Sequence, residues 1–243
     1  MSGFYESIAE YYDWIFQQDP EAVEFVRRFV PSQCCGLNVL DVGCGTGTLG
    51  MALSVYGMQV IGIDLDADMV RLAKEKSEGN GLVRFEILDM LAISQRFGNA
   101  EFDAVLCLGN TLVHLDGMGE ITDFVRQVRS VLKSGGGFLV QVLNYDSILA
   151  HKRDALPVID NQAVRFERRY AYPEGSPHVL FQSVLTVKDT GRKIENEVKL
   201  YPVRKRELDG AFAAAGFRSV GYFGDFRGWP PEEGKLPLIA AAA

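Results

Sequence analysis

The chain has 243 residues, 47% of them hydrophobic, and its 32 acidic against 25 basic side chains give a net charge of −7. That length fills one large core or a core with an inserted lobe, and the acidic balance argues against nucleic acid as a partner, because neutralising phosphates takes a basic face. Four cysteines without C-x-x-C spacing and three histidines argue against a metal site, and Cys44 and Cys107 read as reduced thiols.

From the amino end, residues 4–30 read as helical, with Ile8, Tyr11, Tyr12, Ile15 and Phe16 on one broad face. Asp19-Pro20 marks a fresh helix start, and that helix carries Val23, Val26, Phe29 and Val30 as far as Pro31. "LNVLDVG" is a short buried strand and "TLGMALSVYG" a helix ending at Gly57. "MQVIGIDLD" is a second strand, followed by the helix "ADMVRLAKEKSEGNG" and a third strand, "VRFEILDM". "FDAVLCLGN" is a fourth strand, residues 119–133 form a helix ending before Gly135-Gly136-Gly137, and "GFLVQVLNYD" is a fifth strand. Such alternation specifies a parallel sheet with helices on both faces, with its ligand at the carboxyl ends of the strands.

After Asp146 the rhythm changes. "VRFERRYAY", "HVLFQSVLTVK" and "KIENEVKLY" are β-rich runs joined by Pro173-Glu174-Gly175 and Asp189-Thr190-Gly191. They read as an antiparallel meander that either extends the sheet or covers its cleft. "KRELDGAFAAAGF" is a helix closed by Gly216, "RSVGYFGDF" is the last strand, and the terminal alanines read as a frayed end. Residues 1–150 and 203–243 are thus expected to form one unit with 151–202 inserted into it. No apolar run approaches the ~20 residues of a membrane span, and no signal-like segment precedes the first charged residues, so a soluble, cytoplasmic protein is expected.

The turn after the first strand, in "VLDVGCGTGTLGMA", fits two templates. Gly43, Gly45 and Gly47 give G-x-G-x-G, while Gly45, Gly47 and Gly50 give the dinucleotide spacing G-x-G-x-x-G. A dinucleotide brings a pyrophosphate to this turn; S-adenosylmethionine brings a sulfonium and an ammonium. Asp41, two residues before Gly43, repels the first and suits the second. Asp64 ends the second strand about 20 residues after Gly43, where a carboxylate accepts the ribose hydroxyls of either ligand. Asp89 ends the third strand, placed to receive an adenine amine with Met90 against the base.

Together, "LDVGCGTG", "GIDLD" and "EILDM" resemble the class I S-adenosylmethionine-dependent methyltransferases over about residues 36–146. The resemblance implies a Rossmann-like α/β sheet of seven mostly parallel strands, the last of them antiparallel, a role it gives to "RSVGYFGDF". It implies methionine-end contacts at Gly43, Cys44, Gly45 and Gly47, ribose binding at Asp64, and adenine contacts at Leu65, Asp89 and Met90. "LCLGNTLVHL", "NYDSIL" and "YFGDF" are further similar to the glycine N-methyltransferases and to the amino-sugar N-methyltransferases. That likeness implies a lid helix bearing Tyr5, Tyr11 and Tyr12, with Tyr5 and Tyr12 over the cofactor. It adds cofactor contacts at Leu108 and Gly109, catalytic roles for Asn110, His114 and Tyr145, and acceptor contacts at Tyr11 and Asn144. Glycine N-methyltransferases carry an arginine before the Asn-Tyr-Asp to clamp the substrate carboxylate. Leu143 stands in that place here and cannot make the charged bidentate pair.

The expected function is transfer of a methyl group from S-adenosylmethionine to a small-molecule acceptor, at an amine nitrogen. A neutral amine needs a route for its proton and no strong base; an oxygen acceptor wants a base, and His114 is the histidine near the motifs. Two other readings stay open, a nicotinamide-dependent oxidoreductase and a cofactor-binding protein without catalysis. The sequence carries no signal of oligomeric state.

Overall fold

The computed structural model describes residues 2–30 and 35–243; the helix stop expected at Pro31, and Cys34, lie outside the described residues. The amino-terminal segment breaks into α1 (Ser2–Ile8), a 3-10 turn (Ala9–Tyr11) and α2 (Tyr12–Ile15). The next helix, α3 (Pro20–Phe29), starts at the Asp19-Pro20 signal. The Asp19 carboxylate accepts the Glu21 N–H at 2.9 Å, and Pro20 occupies the first helical position, where an amide hydrogen would lack a partner.

Strands and helices then alternate: β1 (Asn38–Val42), α4 (Thr48–Ser54), β2 (Gln59–Asp64), α5 (Ala67–Lys76) and β3 (Val83–Ile87). They continue as α6 (Ile93–Arg96), β4 (Phe102–Cys107), α7 (Met118–Val131), β5 (Leu132–Leu143) and α8 (Tyr145–Ala150). A second run gives β6 (Ile159–Asp160), β7 (Val164–Ala171), β8 (Val179–Val187) and β9 (Lys193–Leu200). The chain closes with α9 (Lys205–Ala214), β10 (Val220–Phe223) and β11 (Pro237–Ala242).

The main sheet has seven strands in the order β10-β11-β5-β4-β1-β2-β3, and β1 to β5 are parallel. Its central strands are buried on both faces, with side chains alternating at period two. On β4 and β5, Val105, Cys107, Phe138 and Val140 pack with α7 and α9 through Phe124, Val128 and Phe212. Their neighbours Leu106 and Leu139 face the other way, onto α3 and α4 through Val26 and Leu53.

Two expectations are corrected. "RSVGYFGDF" supplies β10, an edge strand running in the same direction as β5. The antiparallel strand is β11, built from the terminal alanines and inserted between β10 and β5. Leu238, Ile239, Ala240 and Ala242 in it are all buried, so packing between two strands overrides the low β-propensity of alanine. The fifth strand starts earlier than "GFLVQVLNYD": the glycine triplet lies inside β5, where the register with β4 shifts between Phe102 and Ala104.

The meander is a separate four-stranded antiparallel sheet, ordered β6-β7-β8-β9. Its inner face covers α1 and α2: Val164, Phe166, Leu185 and Ile194 pack with Phe4, Ile8 and Ile15. The amino-terminal helices are therefore held down over the carboxyl ends of the main sheet. Among the described residues no helix is long and apolar enough to cross a membrane.

Candidate active site

A cavity of about 280 Å³ opens at the carboxyl ends of β1 to β4. Tyr5 and Tyr12 wall it from the amino-terminal helices, Gly43 and Gly45 from the β1 turn, and Asp64 and Leu65 from the end of β2. Leu88, Asp89, Met90 and Leu91 follow β3; Gly109, Thr111 and His114 follow β4. A more open groove of about 600 Å³, lined by Asn38, Gln59 and Arg84 among others, lies at the amino ends of the strands, away from these residues.

The glycine turn is pressed from both sides. Gly43 has φ +71°, and a Cβ there would collide with Thr111. Gly45 has φ +53°, and a Cβ there would lie 3.1 Å from the Tyr12 ring. Both need the left-handed conformation, and both need the space a side chain would take. The two aspartates of "IDLD" divide their duties. Asp66 caps α5, accepting the N–H groups of Asp68 at 3.0 Å and Met69 at 3.1 Å. Asp64 accepts Gly45 N–H on Oδ2 at 2.9 Å and Asp66 N–H on Oδ1 at 3.0 Å. A carboxylate has about four acceptor sites, so roughly two remain for a ligand. Burial raises the Asp64 pKa, and the backbone N–H groups it accepts pull against that rise. Asp89 is exposed and accepts Leu91 N–H at 2.9 Å, opening a 3-10 turn (Met90–Ala92); Leu65 stands 54% exposed at the rim.

Asp41 is the unusual group. It is 3% exposed, and its Oδ2 has no hydrogen-bond partner. Burial, and then the charge on Asp64, push its pKa up to about 7. An ionised carboxylate in such a place is unfavourable until a cation comes close.

The amino-terminal helices close over this floor. Tyr5 Oη lies 2.8 Å from His114 Nε2 and makes a hydrogen bond with it. The Tyr5 ring contacts His114 edge-on at 5.4 Å between centroids. Burial lowers the His114 pKa to about 4, so the imidazole is neutral at pH 7; its Nδ1 is buried and unpartnered. Burial also raises the phenols of Tyr5 and Tyr12, which stay protonated. Asp13 on α2 accepts from the Thr46 hydroxyl and the Lys76 ammonium, tying the lid to the glycine turn and to α5.

Other expected site residues stand behind or beside the cavity wall. Both ends of the Asn110 amide are engaged: Oδ1 accepts Leu143 N–H at 2.9 Å, and Nδ2 donates to Tyr145 Oη at 3.2 Å. Tyr145 is fully buried, with its hydroxyl 3.4 Å from that of Tyr170 on β7. Asn144 caps α8 by accepting Ser147 N–H at 3.2 Å. Cys44 packs with Val70, Ala73 and Phe85, Gly47 precedes α4, and the Leu108 carbonyl accepts the Thr111 hydroxyl at 2.8 Å. Tyr11 packs against the cluster that joins α1 to the second sheet. Sequence reasoning missed Thr111, Asp13, Leu91, Glu120 and Gln141, whose Oε1 accepts Gly109 N–H at 2.8 Å. Leu91 follows a recognised motif and was within reach; Thr111, Asp13 and Gln141 act through contacts distant in sequence, and Glu120 reaches the cavity wall from α7.

A family model described as a methyltransferase domain matches residues 39–136. The glycine/sarcosine N-methyltransferase of Halorhodospira halochloris is 24% identical over 245 residues, covering 93% of this chain and 82% of its own. An S-adenosylmethionine-dependent methyltransferase from Clostridium acetobutylicum superposes with TM-score 0.80 at 17% identity, over 98% of both chains. The chain carries a methyltransferase domain of the S-adenosylmethionine-dependent kind. A SAM-bound amino pentose methyltransferase from Micromonospora echinaspora shares the fold at TM-score 0.68 and 21% identity, over 99% of this chain and 98% of its own.

The methyltransferase's own residues fit this cofactor. A pyrophosphate at the glycine turn would meet Asp41 and Asp64, whereas a sulfonium and an ammonium supply the positive charge that the unpartnered Asp41 oxygen lacks.

Proposed function

We propose that the methyltransferase acts on an amine nitrogen of a small-molecule acceptor, with residues 1–150 and 203–243 as its catalytic unit and 151–202 as a lobe closing the acceptor side. S-adenosylmethionine supplies the methyl group as an electrophile. The Gly43–Gly47 turn, with Cys44, cradles its methionine end above Asp41. Asp64 takes the ribose hydroxyls, Leu65, Asp89 and Met90 hold the adenine, and Leu108 and Gly109 border the methyl end. Tyr5 and Tyr12 cover the cofactor and exclude water. Asn110 and Tyr145 fix the β4 and β5 turns from behind, and Tyr11 and Asn144 shape the acceptor side.

The observation that carries this reading is the Tyr5–His114 hydrogen bond on the wall that the glycine turn and Asp64 share. It puts a neutral imidazole and a protonated phenol where an attacking amine would stand. Such a pair offers hydrogen-bond partners that orient the attacking nitrogen, and it adds no positive charge beside the sulfonium. The name of the glycine/sarcosine N-methyltransferase relative supports nitrogen as the accepting atom. Leu143 is half-buried against the core and offers no clamp for a carboxylate beside the nitrogen, so glycine and sarcosine are expected to be poor acceptors.

The test is a methyl-transfer assay with methyl-13C-labelled cofactor on glycine, sarcosine, larger amines and phenols, read by NMR. N-methyl products from the larger amines, with turnover reduced about tenfold or more in Tyr5→Phe, are the expected result. Products methylated only on oxygen would overturn the nitrogen assignment.

A further inference from the structure

The inner face of the second sheet is apolar in every row but one. Across β7, β8 and β9, Phe166 pairs with Leu185 and that with Ile194; two rows on, Tyr170 pairs with Phe181 and that with Val198. Between these rows lie Arg168, Ser183 and Asn196, in register with one another. Side chains two apart on a strand share a face. Phe166 and Tyr170 on either side of Arg168 are buried, and Ser183 is itself only 4% exposed.

The row is not satisfied from within. Asn196 is engaged, donating through Nδ2 to the Ser7 hydroxyl on α1 at 2.8 Å. Arg168 donates through Nη2 to the Pro157 carbonyl at 2.6 Å, and its guanidinium lies 5.6 Å from the centre of the Phe166 ring. Its Nε is buried without a partner, as is Ser183 Oγ, and among the described residues no carboxylate pairs with the guanidinium. Burial lowers the Arg168 pKa. Arg168 is half-buried as a whole, but its Nε and the Ser183 hydroxyl are buried donors without acceptors; two in register on an apolar face are unfavourable and point to a ligand that supplies the acceptor.

The row also lies near the active site. Tyr170, one strand repeat away (about 7 Å), has its hydroxyl 3.4 Å from that of Tyr145, which Asn110 holds. Phe181 of the same inner face meets Phe4 of α1, at 5.9 Å between ring centroids, beside the Tyr5 that bonds His114. Asn196 of the same row and Tyr5 of the cavity wall thus meet on one helix, α1.

We propose that Arg168 and Ser183 form an oxyanion subsite that anchors the methyl acceptor by an acidic group remote from the methylated nitrogen. This rests on the acceptor reading above and specifies its substrate class: an amine bearing a carboxylate or phosphate, separated from the nitrogen by an apolar spacer that fits among Phe166, Tyr170 and Phe181. Arg168 offers Nε–H and a second guanidinium N–H in the fork that suits such groups, and Ser183 adds a hydroxyl. The anchor then sits on the lobe, which accounts for Leu143 beside strand five. Glycine, with its carboxylate one carbon from the nitrogen, cannot span a strand repeat.

The test is isothermal titration of the protein loaded with S-adenosylhomocysteine, using benzoate, phenyl phosphate and benzamide as probes. One of the acids is expected to bind more tightly than benzamide; tighter benzoate assigns a carboxylate and tighter phenyl phosphate a phosphate. Arg168→Met should weaken the preferred acid roughly 10- to 100-fold, leaving benzamide and S-adenosylhomocysteine unaffected. Ser183→Ala should weaken the same acid while raising the Tm of the unliganded protein, because it deletes an unpartnered buried hydroxyl; a purely structural serine would not show that combination. Should Arg168→Met fail to fold, Ser183→Ala decides alone. Acids that bind no better than benzamide, or acid binding unchanged in the variants, would overturn the subsite. The titration needs no turnover, so a protein that binds acids through Arg168 yet methylates no amine would overturn the nitrogen assignment and leave the subsite standing.

Discussion

Asp41 shows how one buried side chain couples stability to ligand binding. Its carboxyl titrates near 4 in an unfolded chain and at about 7 in the fold, raised by burial and by Asp64. Between those values the folded chain holds a proton that the unfolded chain has released. Stability of the unliganded protein therefore falls as pH rises from about 4 to about 7, and stays lower above that. Asp41→Asn removes the penalty. Its Tm should exceed that of the parent at pH 8, with the two converging near pH 4, while affinity for S-adenosylmethionine falls about tenfold or more as the countercharge is lost. Scanning calorimetry at both pH values with titration at pH 8 reads both halves; equal Tm values at pH 8 would show that the carboxylate is not paying for its burial. At this scale the sequence was legible where chemistry is local. Asp41, Asp64 and the glycines share one strand-turn-helix-strand unit, and their spacing marks them. Thr111 against Gly43, Asp13 against Thr46 and the pairing of Tyr5 with His114 join segments distant in the chain, and no spacing rule marks them.

The elements tell a similar story. Alternating strands and helices made the parallel sheet readable through β5, and β-rich runs joined by turn signals disclosed the meander. Whether that meander extended the first sheet or formed its own was open, because strand periodicity says which faces are buried and not which edges pair. The terminal strand misled for a physical reason. Alanine has little intrinsic preference for strands, and only the slot between β10 and β5 makes β11 a buried central strand. Ala240 is fully buried there, opposite Val140 of β5 and Tyr222 of β10. Ala240→Glu places a charge in that slot without a partner and should destabilise the protein by about 3–5 kcal/mol, enough to unfold much of it. A urea midpoint equal to that of the parent would contradict the placement of β11.

At the scale of the whole molecule, one sheet supplies the floor of the cavity and the other holds the lid and, in the reading proposed above, the acceptor wall. The amino-terminal helices touch both: α2 is tied to the glycine turn through Asp13, and α1 to β9 through Ser7 and Asn196. The floor carries unpaired negative charge, the lid neutral phenols that meet the neutral His114 imidazole beyond β4, and the second sheet an unpaired guanidinium. A cationic cofactor, an amine and an acid satisfy that order of charges; a pyrophosphate at the glycine turn inverts it. The measurement that bears most directly on this is isothermal titration of S-adenosylhomocysteine and of NADH into the protein and into Asp64→Ala. The account predicts binding of S-adenosylhomocysteine alone, weakened roughly 10- to 100-fold in the variant as the ribose loses its charged acceptor. Binding of NADH in its place, or S-adenosylhomocysteine affinity unchanged in Asp64→Ala, would contradict it.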